Sequence, residues 1–456
     1  MKYTLALITL MMAVMTQGCA TLQGPKYYLP ESRPLGGDLN VAGIDTSAMA
    51  SPPAAVSGEL TLSQALALAL LHSPELIAHS WEMRTMEAEA LQAGLIPNPE
   101  LEFGLQSIAS SDPYSDPRIG ETAIGLSQLF RLGGKGNKSR SAAQLQTELA
   151  GWDFEAMRLD ILTSTSAAFV TVLAAQMQVA LADELAELNE RFYQTVAERV
   201  EAGESSPVEQ TRAQVTLATA HIARDQARLT LEIARNELAA SWGDDTATFD
   251  SAIGLLKQVD PIPPRAQLTA LLDQNPDIAR WETEAELQRV RLSLERANAI
   301  PDLTLSAGIA DSRDTDDNAF VIGASIPFPV FDRNQGGIAA AHAARSQAQQ
   351  ESIAARNQAQ LNLATSFRNL KAAYYAASTL QTQILPAAQE AFEAVDFGYR
   401  AGKFSFLEVL DAQRTLFEAR EQYIEAMATY HQARTEVERL IGIPLQTVEQ
   451  QSRVGE

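Results

Sequence analysis

Four short stretches of this chain alternate apolar and polar residues with a period of two. Residues 101–105 carry Leu, Phe and Leu at alternate positions, and residues 123–127 carry Ile and Leu between small or polar residues. The same pairing returns at residues 303–309 and 320–328. A period of two is that of a β-strand with one apolar and one polar face. The pattern therefore predicts two strand–loop–strand hairpins, with strands of about 8 to 10 residues.

The stretches that follow the hairpins have the pattern of long helices. Between about Asn137 and Val200 there is no proline and one glycine, and apolar residues recur in steps of four and three, as in a coiled coil. A helix of that length spans roughly 96 Å at about 1.5 Å per residue, so the pattern predicts a rod. A second long helix is predicted to reach Tyr399, and the return helices are predicted to end at Trp242 and Ile441.

Each long helix is followed by a turn and then by a return helix. The turns are residues 203–207, called the first tip, and residues 402–406, called the second tip. Each contains a glycine, which permits the positive φ that such a turn needs. Beyond the second tip, apolar residues fall seven apart and predict one packed helix face, at Leu416, Tyr423, Tyr430 and Val437.

The chain repeats itself at a spacing of roughly 200 residues. Residues 93–105 resemble residues 297–309, and Ala202-Gly203 returns as Ala401-Gly402. A nearly constant spacing over two long stretches predicts duplication of one structural unit. The predicted boundaries are 1–18 for a signal peptide, 19–58 for an extended tether, 59–243 and 266–442 for the two repeats, 244–265 for the linker between them, and 443–456 for a C-terminal tail.

Charge and hydropathy narrow the classes of function. The formal net charge is −22, which argues against nucleic acid as a partner. No apolar run of about 20 residues occurs in the body of the chain, which predicts that no helix spans a membrane. Short amphipathic strands are still compatible with a membrane, but four of them cannot close a barrel, and open edges in lipid would leave backbone groups unpaired. Several copies would have to share one barrel, and three copies would supply twelve strands.

The N-terminus has the pattern of a secretory signal peptide. A lysine precedes an apolar run at residues 5–15, followed by small and polar residues up to Cys19, the single cysteine of the chain. Gly18-Cys19-Ala20 resembles a bacterial lipobox, so Cys19 is predicted to carry lipid, and the following Ala is typical of sorting to the outer membrane. The alternative is an ordinary signal peptide with an incidental cysteine, because residues 16–17 differ from the usual pattern.

Four motifs point to a family. They are Asn-Pro-Glu-Leu at 98–101, Phe-Asp-Arg-Asn-Gln-Gly at 331–336, Tyr-Arg-Ala-Gly-Lys at 399–403 and Leu-Glu-Val-Leu-Asp-Ala-Gln-Arg-Thr-Leu at 407–416. Together they resemble the TolC-like outer membrane factor family, and within it the branch of cobalt–zinc–cadmium efflux pumps. The resemblance covers about residues 60–445.

The resemblance implies both an architecture and partners. The fold would be mainly α with a small β part, built from a duplicated helix–strand–strand–long helix–helix unit. A homotrimer would form a 12-stranded outer-membrane β-barrel continuous with a periplasmic α-helical coiled-coil barrel. The trimer would sit in outer-membrane lipid as the exit duct of a tripartite pump, docked through a periplasmic adaptor protein to an inner-membrane RND transporter.

The resemblance also implies a gate at the periplasmic entrance. Tyr399 and Arg400 match positions whose bonds hold the entrance shut, and Glu408 and Asp411 match positions that line it. A spacing of three places both carboxylates on one helix face. Threefold symmetry would gather six of them, which would attract cations, and we expect neither to have a packing role. The alternative is an ordinary solvated helix face.

The remaining candidate residues lie at the tips and on the strands. The tips are predicted to dock the adaptor through Gly203, Glu204 and Ser205 of the first and Gly402, Lys403 and Phe404 of the second. Polar strand residues are predicted to face the lumen of the barrel, namely Glu100, Glu102, Gln106, Thr304 and Ser306.

No enzyme is predicted, and no cofactor or metal site. The five histidines are scattered and lack metal-ligand spacing. The resemblance favours efflux of heavy-metal cations. An exit duct for drugs, organic solutes or type I polypeptide secretion is the alternative, because such ducts share the fold. A periplasmic coiled-coil structural protein is less favoured, since it would not need four one-sided strands.

Overall fold

The computed structural model contains one order of elements twice. The first set is β1 Glu59–Thr61, α1 Leu62–His72, α2 Pro74–Ala93, β2 Glu100–Ser107, β3 Gly120–Phe130, α3 Lys135–Glu201 and α4 Pro207–Ala240. The second set is β4 Ser251–Ile253, α5 Arg265–Leu271, α6 Pro276–Asn298, β5 Leu303–Ser312, β6 Asp317–Ser325, α7 Gln335–Thr379, α8 Leu385–Arg400 and α9 Phe406–Ile441. Each set runs through helices, a hairpin, a long helix and a return helix, as the sequence pattern predicts.

The structure describes residues 58–107, 120–312 and 317–448. The predicted signal peptide, Cys19 and nearly all of the predicted tether lie outside the described residues, and so does the side chain of Gln106. Those expectations stay predictions.

Helix starts lie where the sequence carries capping residues. Thr61 caps α1 in a capping box with Gln64, whose side-chain oxygen accepts the Thr61 N–H at 2.9 Å. Ser73 and Asn275 cap α2 and α6, and each precedes a proline at the first helical position, where a missing N–H costs nothing.

The turn from β6 into α7 depends on one asparagine. Asn334 precedes α7 with φ 55°, and it is the single residue other than glycine with positive φ in the described ranges. Asparagine tolerates this conformation better than most residues. Its side-chain amide also donates to the Glu295 carbonyl at 2.8 Å. The motif at residues 331–336 thus joins the start of α7 to the end of α6.

The described strands β2, β3, β5 and β6 form one antiparallel sheet in that order. Its register pairs Phe103 with Ile124, Ile124 with Ile309, and Ile309 with Phe320. Paired residues point to the same side of a sheet, so apolar side chains cross all four strands on one face. The one-sided strands predicted from the alternation are confirmed. Strands β1 and β4 form a separate parallel pair.

The core runs along the helices. One cluster joins the β1–β4 pair to the long helices through Leu60, Phe169, Leu238 and Met427. Others lie between α5, α7 and α9 and close to the tips. The heptad face predicted on α9 is confirmed, because all four of its residues are buried, Leu416, Tyr423, Tyr430 and Val437.

The second long helix is interrupted, contrary to the expectation of one helix reaching Tyr399. A π-turn at Leu380–Ile384 separates α7 from α8, and the Leu385 N–H bonds to the Leu380 carbonyl five residues back. Pro386 lies in the first turn of α8 and has no N–H to donate to the carbonyl four residues back. The wider π-turn accommodates that missing bond. The first long helix, α3, continues for 67 residues without such a break.

One described helix, α3, is long and apolar enough to cross a membrane by length and composition alone. An 18-residue window within it has a mean hydropathy of 1.5. The expectation that no helix spans a membrane stays a prediction. A single such window is weak evidence of a membrane span, because the core helix of a soluble protein meets the same criterion. As a core helix does, α3 packs against α2, α4, α6 and α9.

A polar network fixes the segment between β4 and α5 to α9. The Tyr430 hydroxyl accepts the Asp260 N–H at 3.1 Å and donates to the Asp260 carbonyl at 3.0 Å. Arg434 pairs with the Asp260 carboxylate at 3.0 Å. The His431 ring donates to the Leu256 carbonyl at 2.8 Å, and burial lowers the pKa of His431, so the ring is neutral at pH 7.

Replacing Tyr430 by Phe removes both hydrogen bonds to Asp260. We expect this change to cost about 1 kcal/mol, because the N–H and the carbonyl of the half-buried Asp260 lose their hydrogen-bond partner. Tyr423→Phe is the matched control, since Tyr423 lies on the same heptad face and its hydroxyl makes no hydrogen bond within the described residues. Urea unfolding in detergent, followed by circular dichroism, measures both variants, and equal midpoints would contradict the network's role.

Candidate functional site

The two tips are built by the same local chemistry. At the first tip, Gly203 has φ 76° and the Glu204 N–H bonds to the Arg199 carbonyl at 2.8 Å. At the second tip, Gly402 has φ 71° and the Lys403 N–H bonds to the Gly398 carbonyl at 2.8 Å. This is the left-handed glycine termination of a helix, in which the glycine has no Cβ to clash. A serine then caps each return helix, Ser206 for α4 and Ser405 for α9.

The two tips lie side by side at one end of the helices. The guanidinium of Arg199 lies 5.1 Å from the centre of the Tyr399 ring. Phe192 and Val196 of α3 belong to the same buried cluster as Tyr399 and Phe406. The duplication therefore brings together two turns that are about 200 residues apart in the chain.

The two residues that are predicted to hold the gate shut, Tyr399 and Arg400, have different environments. Tyr399 is buried, and its hydroxyl has no hydrogen-bond partner in the part of the chain that the structure describes. Burial raises the pKa of Tyr399, with a smaller opposing effect from Arg199. Arg400 is exposed and pairs with Asp396 at 2.8 Å. Within one chain, Tyr399 thus acts as a packing residue and Arg400 as a surface cation.

Each of the two predicted entrance carboxylates bonds to another group of the same chain. Glu408 accepts the Ser405 N–H at 2.7 Å and the Ser405 hydroxyl at 2.9 Å, and thereby completes a capping box. These bonds hold the pKa of Glu408 below its usual value, so it stays ionised at neutral pH. Asp411 pairs with Arg414 at 2.7 Å. Glu408 therefore has a local structural role, because it caps α9, while its side chain stays exposed.

The sheet brings the predicted lumen residues onto one face. Register pairs Glu100 with Ser127 and Ser127 with Ser306, and it pairs Glu102 with Gly125. Thr304 lies two residues from Ser306 and so shares its face. This polar face is opposite the apolar one. Gln106 pairs with Glu121 through its backbone.

A buried polar contact between the two helical hairpins was not predicted. Asn189 of α3 and Gln413 of α9 are both buried, and the Gln413 amide donates to the Asn189 side-chain oxygen at 3.1 Å. Asn189 in turn donates to the Leu185 carbonyl at 2.9 Å. The sequence signal was present, since both residues interrupt helix faces that are otherwise apolar, but their partnership depends on how α3 and α9 pack.

Comparison with known proteins identifies the family. The profile described as "Outer membrane efflux protein" matches residues 65–244 and 268–443. The chain belongs to this family. Its function is that of an outer-membrane exit duct for an efflux pump, and it is not an enzyme. The TolC-like fold implied by the sequence motifs is confirmed.

The chain is similar to two named relatives and to one solved structure. The cobalt-zinc-cadmium resistance protein CzcC of Cupriavidus metallidurans is 35% identical over 410 residues, covering 90% of this chain and 96% of the relative. The pyoverdine export outer membrane protein OpmQ of Pseudomonas putida is 24% identical, covering 84% and 85%. A crystal structure of CusC superposes with a TM-score of 0.73 at 18% identity, covering 84% of this chain and 92% of that chain.

The described residues of this efflux protein hold no group of three or more His, Cys, Asp or Glu side chains that could bind a metal ion. Three of the histidines contact protein groups instead. His79 lies 3.3 Å from Glu82, His342 lies 3.2 Å from Arg296, and His431 bonds to a backbone carbonyl.

A double-mutant cycle can measure the interaction between Asn189 and Gln413. Gln413→Leu alone leaves the buried Asn189 oxygen without its partner, and we expect it to cost about 1–3 kcal/mol. Asn189→Leu combined with Gln413→Leu removes both polar groups and is expected to recover most of that loss. Urea midpoints of the single and double variants in detergent measure the coupling. Additive losses would contradict a direct interaction.

Proposed function

We propose that three copies of this chain assemble into an outer-membrane duct for heavy-metal cations. Their sheets together would form a 12-stranded β-barrel, and their helices would form a tube in the periplasm. The tips would dock a periplasmic adaptor protein, which connects the duct to an inner-membrane RND transporter. The proposal goes beyond the family assignment in its trimer, its partners and its substrate.

The observation that carries the proposal is the exposed apolar face of the sheet. Leu105 and Ile322 on this face are 85% and 83% exposed, and Phe103 is also exposed. A single soluble chain would leave this surface in water at a cost of roughly 25 cal/mol for each Å². Lipid on the apolar face and water on the face of Glu100 and Ser306 satisfy both sides at once.

The open edges of the sheet support assembly from several copies. Within the described residues, β2 and β6 each pair on one side only. Unpaired backbone groups in lipid cost several kcal/mol each. Pairing of β6 from one copy with β2 from the next removes all edges when the ring closes. The even number of antiparallel strands per chain permits such closure.

The length of the helices supports a tube that crosses much of the periplasm. At about 1.5 Å per residue, α3 extends roughly 100 Å. The sheet is connected directly to the start of α3, and the tips lie at its far end. An adaptor from the inner membrane would therefore meet the tips before any other part of the duct.

Heavy-metal cations are the favoured substrate because the relative that is 35% identical is a cobalt-zinc-cadmium resistance protein. The net charge of −22 suits conduction of cations. Export of an organic solute is the second candidate, because the relative that is 24% identical exports pyoverdine. A lipid on Cys19 would add a second attachment to the outer membrane, beside the barrel.

The trimer is tested first. Full-length protein extracted in detergent is expected to show the protein mass of three chains by light scattering, and Ile322→Glu on the apolar face is expected to lower its recovery from the outer-membrane fraction. Glu100→Gln on the opposite face is the control and should leave recovery unchanged. A stable monomer in the soluble periplasm would contradict the proposal.

The substrate is tested in cells of the native host. Deleting the gene is expected to raise sensitivity to cobalt, zinc and cadmium salts at least several-fold, while sensitivity to organic antibiotics stays the same. Restoring the full gene should restore resistance. Unchanged metal tolerance together with loss of siderophore or drug export would favour an organic solute.

The predicted entrance carboxylates are tested by ion selectivity. Glu408→Gln preserves the capping box, because glutamine also serves at that position, and Asp411→Asn loses only an exposed ion pair of small energetic value. We expect the double variant to form trimers and to show lower cation selectivity in planar bilayers. The control is the double variant Glu232→Gln and Glu237→Gln on α4, which also removes two negative charges. Equal reversal potentials in a salt gradient would put Glu408 and Asp411 on a solvated outer face.

A further inference from the structure

The segment that joins the sheet to the first long helix is a basic surface on an acidic protein. Residues 128–140 contain four cations and no acid, in a chain whose net charge is −22. Lys135 pairs with Asp302 at 2.7 Å. The other three cations pair with no carboxylate among the described residues, namely Arg131, Lys138 and Arg140. A net positive charge therefore remains where β3 ends and α3 begins.

Two of these cations lie on the turn between α2 and β2, residues 94–99. The Arg131 guanidinium donates to the Leu95 carbonyl. The Arg140 side chain lies against Gly94, so that a Cβ added at this glycine would lie 3.0 Å from the Arg140 Cδ. The turn has no charged residue, and its Leu95 and Ile96 are 51% and 77% exposed. Two arginines thus flank an exposed apolar surface.

The length of β3 places this surface at one boundary of the proposed membrane. Strand β3 has 11 residues and ends at Phe130, one residue before Arg131. At about 3.4 Å per residue and a tilt of about 40°, such a strand covers roughly 28 Å of depth, close to the apolar band of about 25 Å on outer-membrane barrels. Arg131 would therefore lie at the level of the lipid headgroups, on the periplasmic side, because the long helix follows it.

The opposite edge of the sheet ends in an aromatic turn. Residues 326–331 follow β6, and their Phe328 and Phe331 are 88% and 90% exposed. The next two residues are an acid and a base, whose charges cancel. In the proposed ring, β6 of one copy lies beside β2 of the next. Residues 326–331 of one copy would then meet residues 94–99 of the next, at a place called the seam.

We propose that each seam binds one anionic phospholipid of the periplasmic leaflet, with its phosphate on Arg131 and Arg140 and its acyl chains on the apolar turns of the two copies. This inference rests on the proposed function, in which three sheets form one ring in the outer membrane. A trimer would hold three such lipids. The lipid is then a ligand with a required charge, in addition to being the solvent of the barrel.

The chemistry of the seam fits a phosphate with an apolar tail. A guanidinium binds phosphate oxygens in a planar, bidentate manner. Its apolar stem lies along apolar surface while the charge stays among the headgroups. Clusters of cations at a membrane edge attract anionic lipids, whereas a choline or ethanolamine headgroup would bring its own cation to a basic surface.

The neighbouring copy by itself is a poorer occupant of this surface. Residues 94–99 and 326–331 contain no acid, so the two turns could cover each other's apolar side chains but could not neutralise the arginines. Cations without a partner at a membrane boundary are stabilised by an anion. The charge of the seam therefore favours a lipid phosphate between the copies.

Native mass spectrometry of the full-length trimer, released from a neutral detergent, tests the proposal. Phosphatidylglycerol is titrated in parallel with phosphatidylcholine and phosphatidylethanolamine that carry the same acyl chains. We expect up to three phosphatidylglycerol molecules to bind to each trimer, at least about tenfold more tightly than the other two lipids. Equal affinity for all three lipids would overturn this inference and leave the proposed duct intact.

Substitution of the two arginines tests the site itself. Arg131→Gln with Arg140→Gln is expected to weaken phosphatidylglycerol binding at least about tenfold, and to leave phosphatidylcholine binding unchanged. Arg131→Lys with Arg140→Lys keeps the charge but loses the bidentate geometry, so we expect a smaller loss. Unchanged phosphatidylglycerol binding in the glutamine variant would show that the lipid binds elsewhere and would overturn the site.

Arg212→Gln with Arg265→Gln is the matched control. Both arginines are exposed, pair with no carboxylate among the described residues, and lie far from the sheet in the chain. Their replacement removes the same charge and should leave phosphatidylglycerol binding as it is. An equal loss in this control would show a general attraction of anionic lipid to cations and would overturn a specific site.

Phe331→Ser separates a lipid contact from a contact between copies. We expect the trimer to persist in detergent by light scattering, and phosphatidylglycerol binding to fall less than in the glutamine variant, because the arginines remain. Dissociation of this variant into monomers in lipid-free detergent would make the aromatic turn a contact between copies and overturn the inference. Failure of the unaltered protein to form a membrane-bound trimer would overturn the proposed function as well.

Discussion

The constraint on which the rest of the structure depends is the pairing of backbone groups in a sheet that one chain leaves open. Four antiparallel strands pair in the order β2–β3–β5–β6, and within the described residues β2 and β6 each have one unpaired edge. The same strands carry an apolar face that is exposed, with Ile322 among its residues. The proposed ring of strands within lipid would satisfy both features at once. In that proposal, the symmetry, the tube of helices and the position of the tips follow from how the ring closes.

Duplication supplies the means of building such a ring from few elements. Each set of elements contributes one hairpin to the sheet and one long helical hairpin below it. The two sets are close enough to pack together, as Arg199 on Tyr399 illustrates. They have diverged where symmetry is not required, since α3 is continuous while a π-turn precedes Pro386 in the corresponding helix. The tips have diverged as well, because Ser205 of the first tip corresponds to Phe404 of the second.

Polar contacts join helices that are distant in the chain. Asn189 and Gln413 form a buried pair between α3 and α9, Arg420 and Glu184 form an ion pair between the same helices, and Tyr430 holds the backbone at Asp260. Buried hydrogen bonds of this kind add little net energy but strongly disfavour other registers, since a shift leaves polar groups unpaired. Long helices slide past one another easily when their faces are uniformly apolar. These contacts therefore select one register between α3, α9 and the segment from β4 to α5.

The sequence by itself determined the elements and their order, because each is encoded locally. Period-two alternation identified the strands, proline-free stretches identified the long helices, and glycine marked Gly203 and Gly402 as turns. It also identified the heptad face of α9, since Leu416 and Val437 are spaced for one side of a helix. The motifs were enough to identify the family. What the sequence left open is every property that depends on two segments meeting in space.

Tertiary structure alone decided those properties. Asn189 and Gln413 are 224 positions apart, yet their side chains bond to each other, and the spacing along either helix cannot show that. The burial of Tyr399 depends on α3 lying beside α8, and the contact of the Phe404 ring with Gly398 depends on how the second tip folds back. A local sequence pattern shows the periodicity of a single helix or strand. Contacts between distant segments depend on packing angle and register, which small differences in many side chains set together.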